Sequence, residues 1–163
     1  MELFKIKKLR ENPEKEILKE LEMNYDQIEV LKSKDIMEFL SCRKTRFEEV
    51  VNSDFYKLPV VQIGRTHYTT KKQLIKFVEL NNSQYDNYRN NILRNSNKYD
   101  NCGAILTKTQ LREMFCMCEK KFSKLIQSEG FPGRQIGGSY VTTSRALQNW
   151  FFANEKEKIM LKY

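Results

Sequence analysis

The chain has few of the residues and patterns on which catalysis and metal binding usually depend. Its 163 residues include one histidine, His67, and four cysteines. No two cysteines form a C-x-x-C pair, and the C-x-C pair Cys116 and Cys118 has no histidine near it in sequence. No phosphate-binding loop, paired-carboxylate motif or nucleophile with a local base occurs either. We therefore predict no enzyme activity, no metal, no cofactor and no disulfide.

Long apolar runs are also missing. No run approaches the roughly 20 residues that a helix needs to cross a bilayer. Met1–Arg10 lacks the continuous apolar core and the small-residue cleavage site of a signal peptide. A cytoplasmic protein with no membrane contact is expected.

Positive charge is what the chain has in excess. Lys and Arg number 29 against 21 for Asp and Glu, which gives a formal net charge of +8. This balance favours an anionic partner, with nucleic acid ahead of an anionic membrane surface. The chain is also rich in Lys, Asn, Ile and Tyr, as proteins from AT-rich genomes tend to be. The positions of the charges are therefore more informative than their sum.

The residues from Ile105 to Ala153 predict three helices. Thr107 is placed to cap the first of them, and Thr143 or Ser144 to cap the last. Apolar residues at helical spacing give each helix one inward face, made in turn by Leu111, Met114 and Phe115, by Phe122, Leu125 and Ile126, and by Leu147, Trp150 and Phe151.

Glycines predict the turns of the same stretch. Gly130 is expected to end the second helix in a left-handed conformation. Gly137-Gly138, between Arg134–Ile136 and Tyr140–Thr142, is a two-residue hairpin signal because both turn positions tolerate positive φ. Helix, turn, helix, hairpin and helix is the order of a winged helix-turn-helix.

A family resemblance rests on this run, LTKTQLREMFCMCEKKFSKLIQSEGFPGRQIGGSYVTTSRALQNWF. It resembles the excisionase-like, MerR-related winged helix-turn-helix modules. Their pattern has a threonine-capped first helix, a basic second helix that ends near a proline, an Ile-Gly-Gly hairpin and a last helix that ends in Trp. The resemblance implies a DNA-binding module.

The same pattern occurs earlier, between Leu31 and Leu80, which predicts a diverged internal duplication. The matched positions are Leu31, Glu38, Phe47, Ser53, Pro59, Gln62-Ile63-Gly64, Thr69-Thr70 and Leu74, which correspond to Leu106, Glu113, Phe122, Ser128, Pro132, Gln135-Ile136-Gly137, Thr142-Thr143 and Leu147. In this copy Ser33 is expected to cap the first helix and Thr70 the third. The residues expected to point inward are Ile36, Phe39, Leu40, Phe47, Val50, Val51, Leu74, Phe77 and Val78.

The predicted fold is α+β and mainly helical, with two tandem winged helix-turn-helix modules that form a covalent pseudo-dimer. Residues 1–30 are an N-terminal extension that packs on the first module, with a helix starting at Asn12-Pro13. The first module spans residues 31–80. Residues 81–104 hold a connecting helix and a polar linker, and residues 105–163 hold the second module with a C-terminal helix. Since both reading heads lie in one chain, a monomer is expected.

A helix-turn-helix reads DNA through the exposed side of its second helix. The candidate DNA-contacting residues of the two second helices are Arg43, Lys44, Thr45 and Arg46 in the first copy, and Lys120, Lys121, Ser123, Lys124 and Gln127 in the second. The hairpins add Arg65, Thr66 and His67, and Arg134 and Ser139. Glu48 and Glu49 depart from a uniformly basic face, and a solvated helix surface is the alternative interpretation.

The tandem organisation resembles the small TraN-type transfer proteins of Gram-positive conjugative plasmids. This resemblance implies a sequence-specific double-stranded DNA-binding protein that acts as an accessory or regulatory factor of a mobile element. It would bind at a conjugative transfer origin or repress a transfer operon, with relaxase, integrase or other mobile-element proteins as candidate partners. Three alternatives stay open: an excisionase-type recombination directionality factor, a plasmid replication or partition factor, and a protein-interaction adaptor that has lost DNA binding.

Overall fold

The computed structural model describes residues 28–95 and 103–161 and has an α+β fold with two small sheets. In chain order the elements are β1 (Val30–Lys32), α1 (Ser33–Leu40), α2 (Lys44–Val51), β2 (Val61–Ile63), β3 (Thr66–Thr70), α3 (Lys71–Glu79), α4 (Asn82–Asn95), β4 (Ile105–Thr107), α5 (Lys108–Phe115), α6 (Glu119–Ile126), β5 (Arg134–Ile136), β6 (Ser139–Thr143), α7 (Ser144–Ala153) and β7 (Lys158–Ile159). We call β1 to α3 the first half and β4 to β7 the second half. The expected helix at Asn12-Pro13 and most of the expected linker lie outside the described residues.

The two halves share one order of elements, strand, helix, helix, strand, strand, helix. Strands β1 and β4 begin at residues 30 and 105, and α2 and α6 at 44 and 119, so both pairs are 75 positions apart. The hairpin strands β2 and β5 begin at 61 and 134, which is 73 apart. The difference of two is the longer turn predicted for the first half. Ser41 and Cys116, both at φ 52°, end α1 and α5 in the same left-handed conformation.

The second half contributes a strand to the sheet of the first half. The first sheet has the order β1-β3-β2-β7, and the second has the order β4-β6-β5. Each hairpin is antiparallel, whereas β7 runs parallel to β2 and pairs Lys158 with Gln62. The edge of β2 is therefore covered, while β5 is the terminal strand of its sheet.

Most of the predicted helix starts are confirmed, and one is wrong. Thr70, Thr107 and Thr143 each accept a hydrogen bond from a backbone N–H three residues later. Ser33 is not a cap, because α1 begins one residue earlier than expected and Lys32 holds the cap position. The Ser33 hydroxyl instead accepts from the backbone N–H of His67 at 2.9 Å, which joins α1 to the hairpin.

The predicted end of the second helix is also wrong. Helix α6 stops at Ile126, where the backbone N–H and the hydroxyl of Ser128 both donate to the carbonyl of Leu125. Gly130 adopts a positive φ of 84°, but it does so in the turn that follows. The predicted hairpin is confirmed, with Gly137 at φ 59° between β5 and β6.

Two apolar clusters hold the described residues together. The smaller one lies within the first half and is formed by Leu31, Ile36, Phe47, Leu58, Val60 and Leu74. Two residues expected to point inward there are exposed instead, Phe39 at 41% and Val78 at 60%. The predicted inward residues of the second half are buried or half-buried in the larger cluster.

The larger cluster joins the two halves. Val61, Ile63 and Tyr68 belong to it, although they come from the first hairpin. The Tyr68 ring lies 5.6 Å from the Phe115 ring, centroid to centroid. Because alternate residues of a strand point to opposite faces, the first sheet packs on its own helices with one face and on the second half with the other.

A buried polar network lies beside this contact. The Glu155 carboxylate, whose side chain is 6% exposed, accepts from Arg89 Nε at 2.9 Å, from Gln73 Nε2 at 2.9 Å and from the Tyr85 hydroxyl. Burial raises the pKa of Glu155, and its four polar and charged neighbours offset this only in part. The network therefore links α3, α4 and the segment after α7 at an electrostatic cost.

We predict that Phe115→Ala lowers the free energy of unfolding by about 3–5 kcal/mol, because it leaves a cavity where five aromatic rings meet. Both halves should still unfold in one transition, since the cavity lies in the core that they share. Urea denaturation followed by circular dichroism measures this. Phe55→Ala is the control, because Phe55 is 77% exposed and should change stability by about 0.5 kcal/mol or less. Two separate transitions in the wild type would contradict the shared core.

We also predict a pH dependence that comes from Glu155. A carboxyl group with a raised pKa holds its proton more tightly in the folded state, so stability falls as pH rises above its unfolded value of 4.5. Wild type should thus lose stability relative to Glu155→Gln between pH 4 and pH 7, whatever the constant offset between the two proteins. Urea titrations of both proteins at several pH values measure this. A difference that stays flat or moves the other way would refute it.

Candidate nucleic-acid interface

The first half carries a groove between its second helix and its hairpin, which we call the hairpin groove. The start of α1, one side of α2 and the β2–β3 hairpin line it, with the residues Lys32, Ser33, Lys34, Met37, Lys44, Phe47, Glu48, Arg65, Thr66 and His67. Four of these were predicted from the sequence as DNA contacts, namely Lys44, Arg65, Thr66 and His67. The fold thus places predicted helix and hairpin residues on one concave surface.

The hairpin is fixed to both helices of the groove. The Ser33 hydroxyl accepts from the His67 backbone N–H at 2.9 Å and donates to the His67 carbonyl at 3.4 Å. The rings of Phe47 and His67 meet edge to face at 5.7 Å. These contacts hold Arg65 and Thr66, at the tip of the hairpin, beside α2.

Positive charge dominates the groove. Lys32, Lys34, Lys44 and Arg65 surround it, and Glu48 is the one acidic residue in its lining. Lys32 and Lys34 were not predicted as DNA contacts, because the predicted contacts of a helix-turn-helix lie on its second helix and its hairpin. The sequence does place both lysines at a predicted strand-to-helix junction. The antiparallel pairing of Lys32 with Tyr68 brings this junction next to the hairpin.

His67 is a neutral member of the groove. Burial lowers the pKa of His67, and the negative charge of Glu48 opposes this shift more weakly. The imidazole is therefore uncharged at pH 7 and offers one donor and one acceptor nitrogen. It suits a polar contact better than a fixed ionic one.

The other predicted residues of α2 lie outside the groove. Side chains two residues apart on a helix point about 200° apart around its axis, so Arg46 is on the side opposite Lys44. There Arg46 donates to Glu49 and to the Tyr56 hydroxyl, both at 3.2 Å. Arg43 and Thr45 are exposed at the start of the helix and do not line the groove.

The predicted residues of α6 spread over one broad side of the helix, on which Lys124 lies between Lys120 and Lys121. At about 100° per residue, Lys120, Ser123 and Gln127 share one face. Lys120 and Gln127 are exposed and Ser123 is half-buried, and Gln127 also lines a cleft beside β7.

Lys121 and Lys124 are turned towards the first half. A Cβ placed on Gly64, at the tip of the first hairpin, would lie 3.8 Å from both Cε and Nζ of Lys121. Lys124 lines a cleft with Lys158 and Ile159 of β7. Desolvation lowers the pKa of Lys124, and the charge of Lys120 lowers it further. The first hairpin therefore lies between α2 and α6.

The second half carries different residues at the positions that make this groove basic. The positions that correspond to Lys44 and Arg65 are Glu119 and Gly138, and Glu119 pairs with Lys108 at 3.5 Å. Ser139 is exposed directly after the hairpin turn. Arg134 is also exposed, but it lies at the end of β5 remote from that turn. The structure does not gather these two residues with the α6 lysines into one described cleft.

Within residues 28–95 and 103–161, no helix is long and apolar enough to cross a bilayer. Over the same ranges no three His, Cys, Asp or Glu side chains cluster as metal ligands would. Cys116 and Cys118 are exposed free thiols. No family model, curated protein or solved structure matches the chain.

Proposed function

We propose that this protein binds double-stranded DNA sequence-specifically through two tandem winged helix-turn-helix modules. The hairpin groove is the observation that carries the proposal, because four cations surround a helix and a hairpin that are fixed to each other. A helix beside a basic hairpin is the arrangement that inserts into a major groove while the hairpin contacts the backbone.

The duplication supports the same proposal. Six elements recur in one order, with offsets of 75 positions through the helix pair and 73 from the hairpin onward, as their starting residues show. The two left-handed helix ends, Ser41 and Cys116, and the two threonine caps, Thr70 and Thr143, also correspond. A sequence that repeats caps, turns and core positions together favours two copies of one module over chance similarity.

Each groove residue has a distinct role in this proposal. Lys32, Lys34 and Arg65 neutralise phosphates on either side of the helix. Lys44 and Glu48 are four positions apart on the open side of α2, where they reach base edges. A glutamate there accepts from cytosine N4, which gives an acidic residue a function in an otherwise basic groove.

The second half extends the contact surface. Lys120, Ser123 and Gln127 form the outer face of α6 and suit phosphate and base contacts. The first hairpin lies between α2 and α6, so the two reading helices are held at a fixed spacing. A rigid pair of helices favours one defined site over two independent ones, since neither half moves freely to search on its own.

The biological role that we propose follows the resemblance of the sequence to tandem-module transfer proteins. It is an accessory or regulatory factor of a mobile element, which acts at a transfer origin or on a transfer operon. An excisionase-type directionality factor and a replication or partition factor use the same DNA contacts. Relaxase or integrase are the candidate partners in these roles.

We predict that Lys44→Ala combined with Arg65→Ala weakens binding to duplex DNA and flattens its salt dependence. Each lost phosphate contact should reduce the slope of log affinity against log salt by about one, and a lost base contact should cost roughly 1–3 kcal/mol for one sequence only. Fluorescence anisotropy with random and selected duplexes, measured at several salt concentrations, separates the two effects.

Arg46→Ala is the matched control. It removes one cation from the same helix, but on the side held by Glu49 and Tyr56. Its salt slope should stay close to that of the wild type, and thermal melts of all variants should agree because the altered side chains are exposed. A wild-type slope near zero would reject DNA binding and favour the protein-interaction adaptor.

A further inference from the structure

The contact between the two halves uses different surfaces of each. The first half contributes the outer face of its sheet, with Val61, Ile63 and Tyr68 buried at 1%, 0% and 3% exposure. The second half contributes a helical surface around Phe115 and Met117, which belong to the same cluster. If each half has both kinds of surface, this contact uses the sheet face of the first half and the helical surface of the second. The sheet face of the second half and the helical surface of the first half then stay free.

The unused sheet face belongs to the second half. The positions that correspond to Val30 and Ile63 are Ile105 and Ile136, and these are 69% and 60% exposed. Both side chains are large and apolar. Alternate residues of a strand point to opposite faces of its sheet. Both faces of the first sheet are covered, whereas the second sheet has two exposed isoleucines on its outer face.

The unused helical surface belongs to the first half. The positions that correspond to Phe115, Met117 and Phe151, which are all buried, are Leu40, Cys42 and Val78. Leu40 and Cys42 are half-buried and Val78 is 60% exposed. Phe39, next to Leu40, is 41% exposed and borders a cleft that also holds Asp35 and Glu38.

We propose that two copies of this chain associate head to tail, with the open sheet face of one copy on the open helical surface of the next. The contact within the chain is the template, since it joins the same two kinds of surface. Charge is complementary as well, because Arg134 lies on the sheet face and Asp35 and Glu38 lie beside Phe39. The proposal rests on the correspondence of the two halves and does not depend on DNA binding.

The association is weaker than the contact within the chain. Strand β7 completes the internal contact by pairing with β2, and it follows α7. The corresponding helix α3 is followed by α4, so no described strand covers the edge of β5 in the same way. Dilute protein is therefore monomeric, and the head-to-tail contact forms as concentration rises.

The test uses two variants that each block one face. The sheet variant is Ile105→Glu with Ile136→Glu, and the helix variant is Phe39→Glu with Val78→Glu. The wild type should rise above its monomer mass of 19.5 kDa as it is concentrated to roughly 100 µM in sedimentation equilibrium. Each variant alone should remain at the monomer mass.

The equimolar mixture is the decisive sample. Each variant keeps one intact face, so the two together should form a dimer and stop there, at roughly twice 19.5 kDa. Gln135→Glu is the control, because it adds charge to β5 on the opposite side from Ile136 and should associate like the wild type. Thermal melts check that each variant is folded.

Four outcomes would overturn the proposal. A wild type that stays monomeric at every concentration rejects it, and protection of residues 1–27 from protease in wild type but not in the sheet variant would assign the face to that segment. A mixture that fails to dimerise while the wild type associates would reject the contact between the sheet face and the helical surface. Association of one folded variant on its own would show a contact between like surfaces, or a contact elsewhere if both variants associate to the same extent as the wild type.

Discussion

The burial of the first sheet on both faces is the constraint on which the rest of the structure depends. Val61, Ile63 and Tyr68 leave their own half and complete the core of the other, so the halves cannot separate without exposing both. At roughly 25 cal/mol per Å² of apolar area, three such side chains outweigh any exposed ion pair in the molecule. The polar network around Glu155 adds directional contacts at the edge of this core, where misplacement would leave a buried charge without partners.

This constraint also makes the two halves chemically different. Arg46 and Glu49 of α2 correspond in position to Lys121 and Lys124 of α6. In the first half Arg46 pairs with Glu49 and with the Tyr56 hydroxyl, and the side chains of this ion pair are 60% exposed. In the second half Lys121 and Lys124 lie beside the first hairpin and β7. The same helix positions therefore serve a local ion pair in one half and a basic surface between halves in the other.

Much of the fold could be predicted from periodicity, caps and turns, because these are local. Thr107 and Gly137 fix their helix start and hairpin turn through backbone geometry that neighbours hardly alter. Phe39 and Val78 were misplaced because a helical pattern shows which residues are apolar but not whether a partner covers them. The contact between the halves did have a sequence signal, because β2, with the sequence Val-Gln-Ile, is more apolar than the corresponding strand β5, with the sequence Arg-Gln-Ile. The place of Lys32 and Lys34 in the groove could be recognised only from the fold, because sheet pairing brings them to the hairpin.

The hairpin strands β2 and β5 differ in the residues that they place on the outer face of their sheets. In β5, whose outer face no described element covers, Arg134, Gln135 and Ile136 are all exposed. Once a second module covers such a face, residues there must become apolar or lose their hydration without compensation. Val61 in the place of Arg134 meets that requirement, and it commits the first half to a buried partner. Lys32, Lys34 and Arg65 of the same half line the hairpin groove. The first half thus combines a sheet that is buried on both faces with a basic groove beside its hairpin.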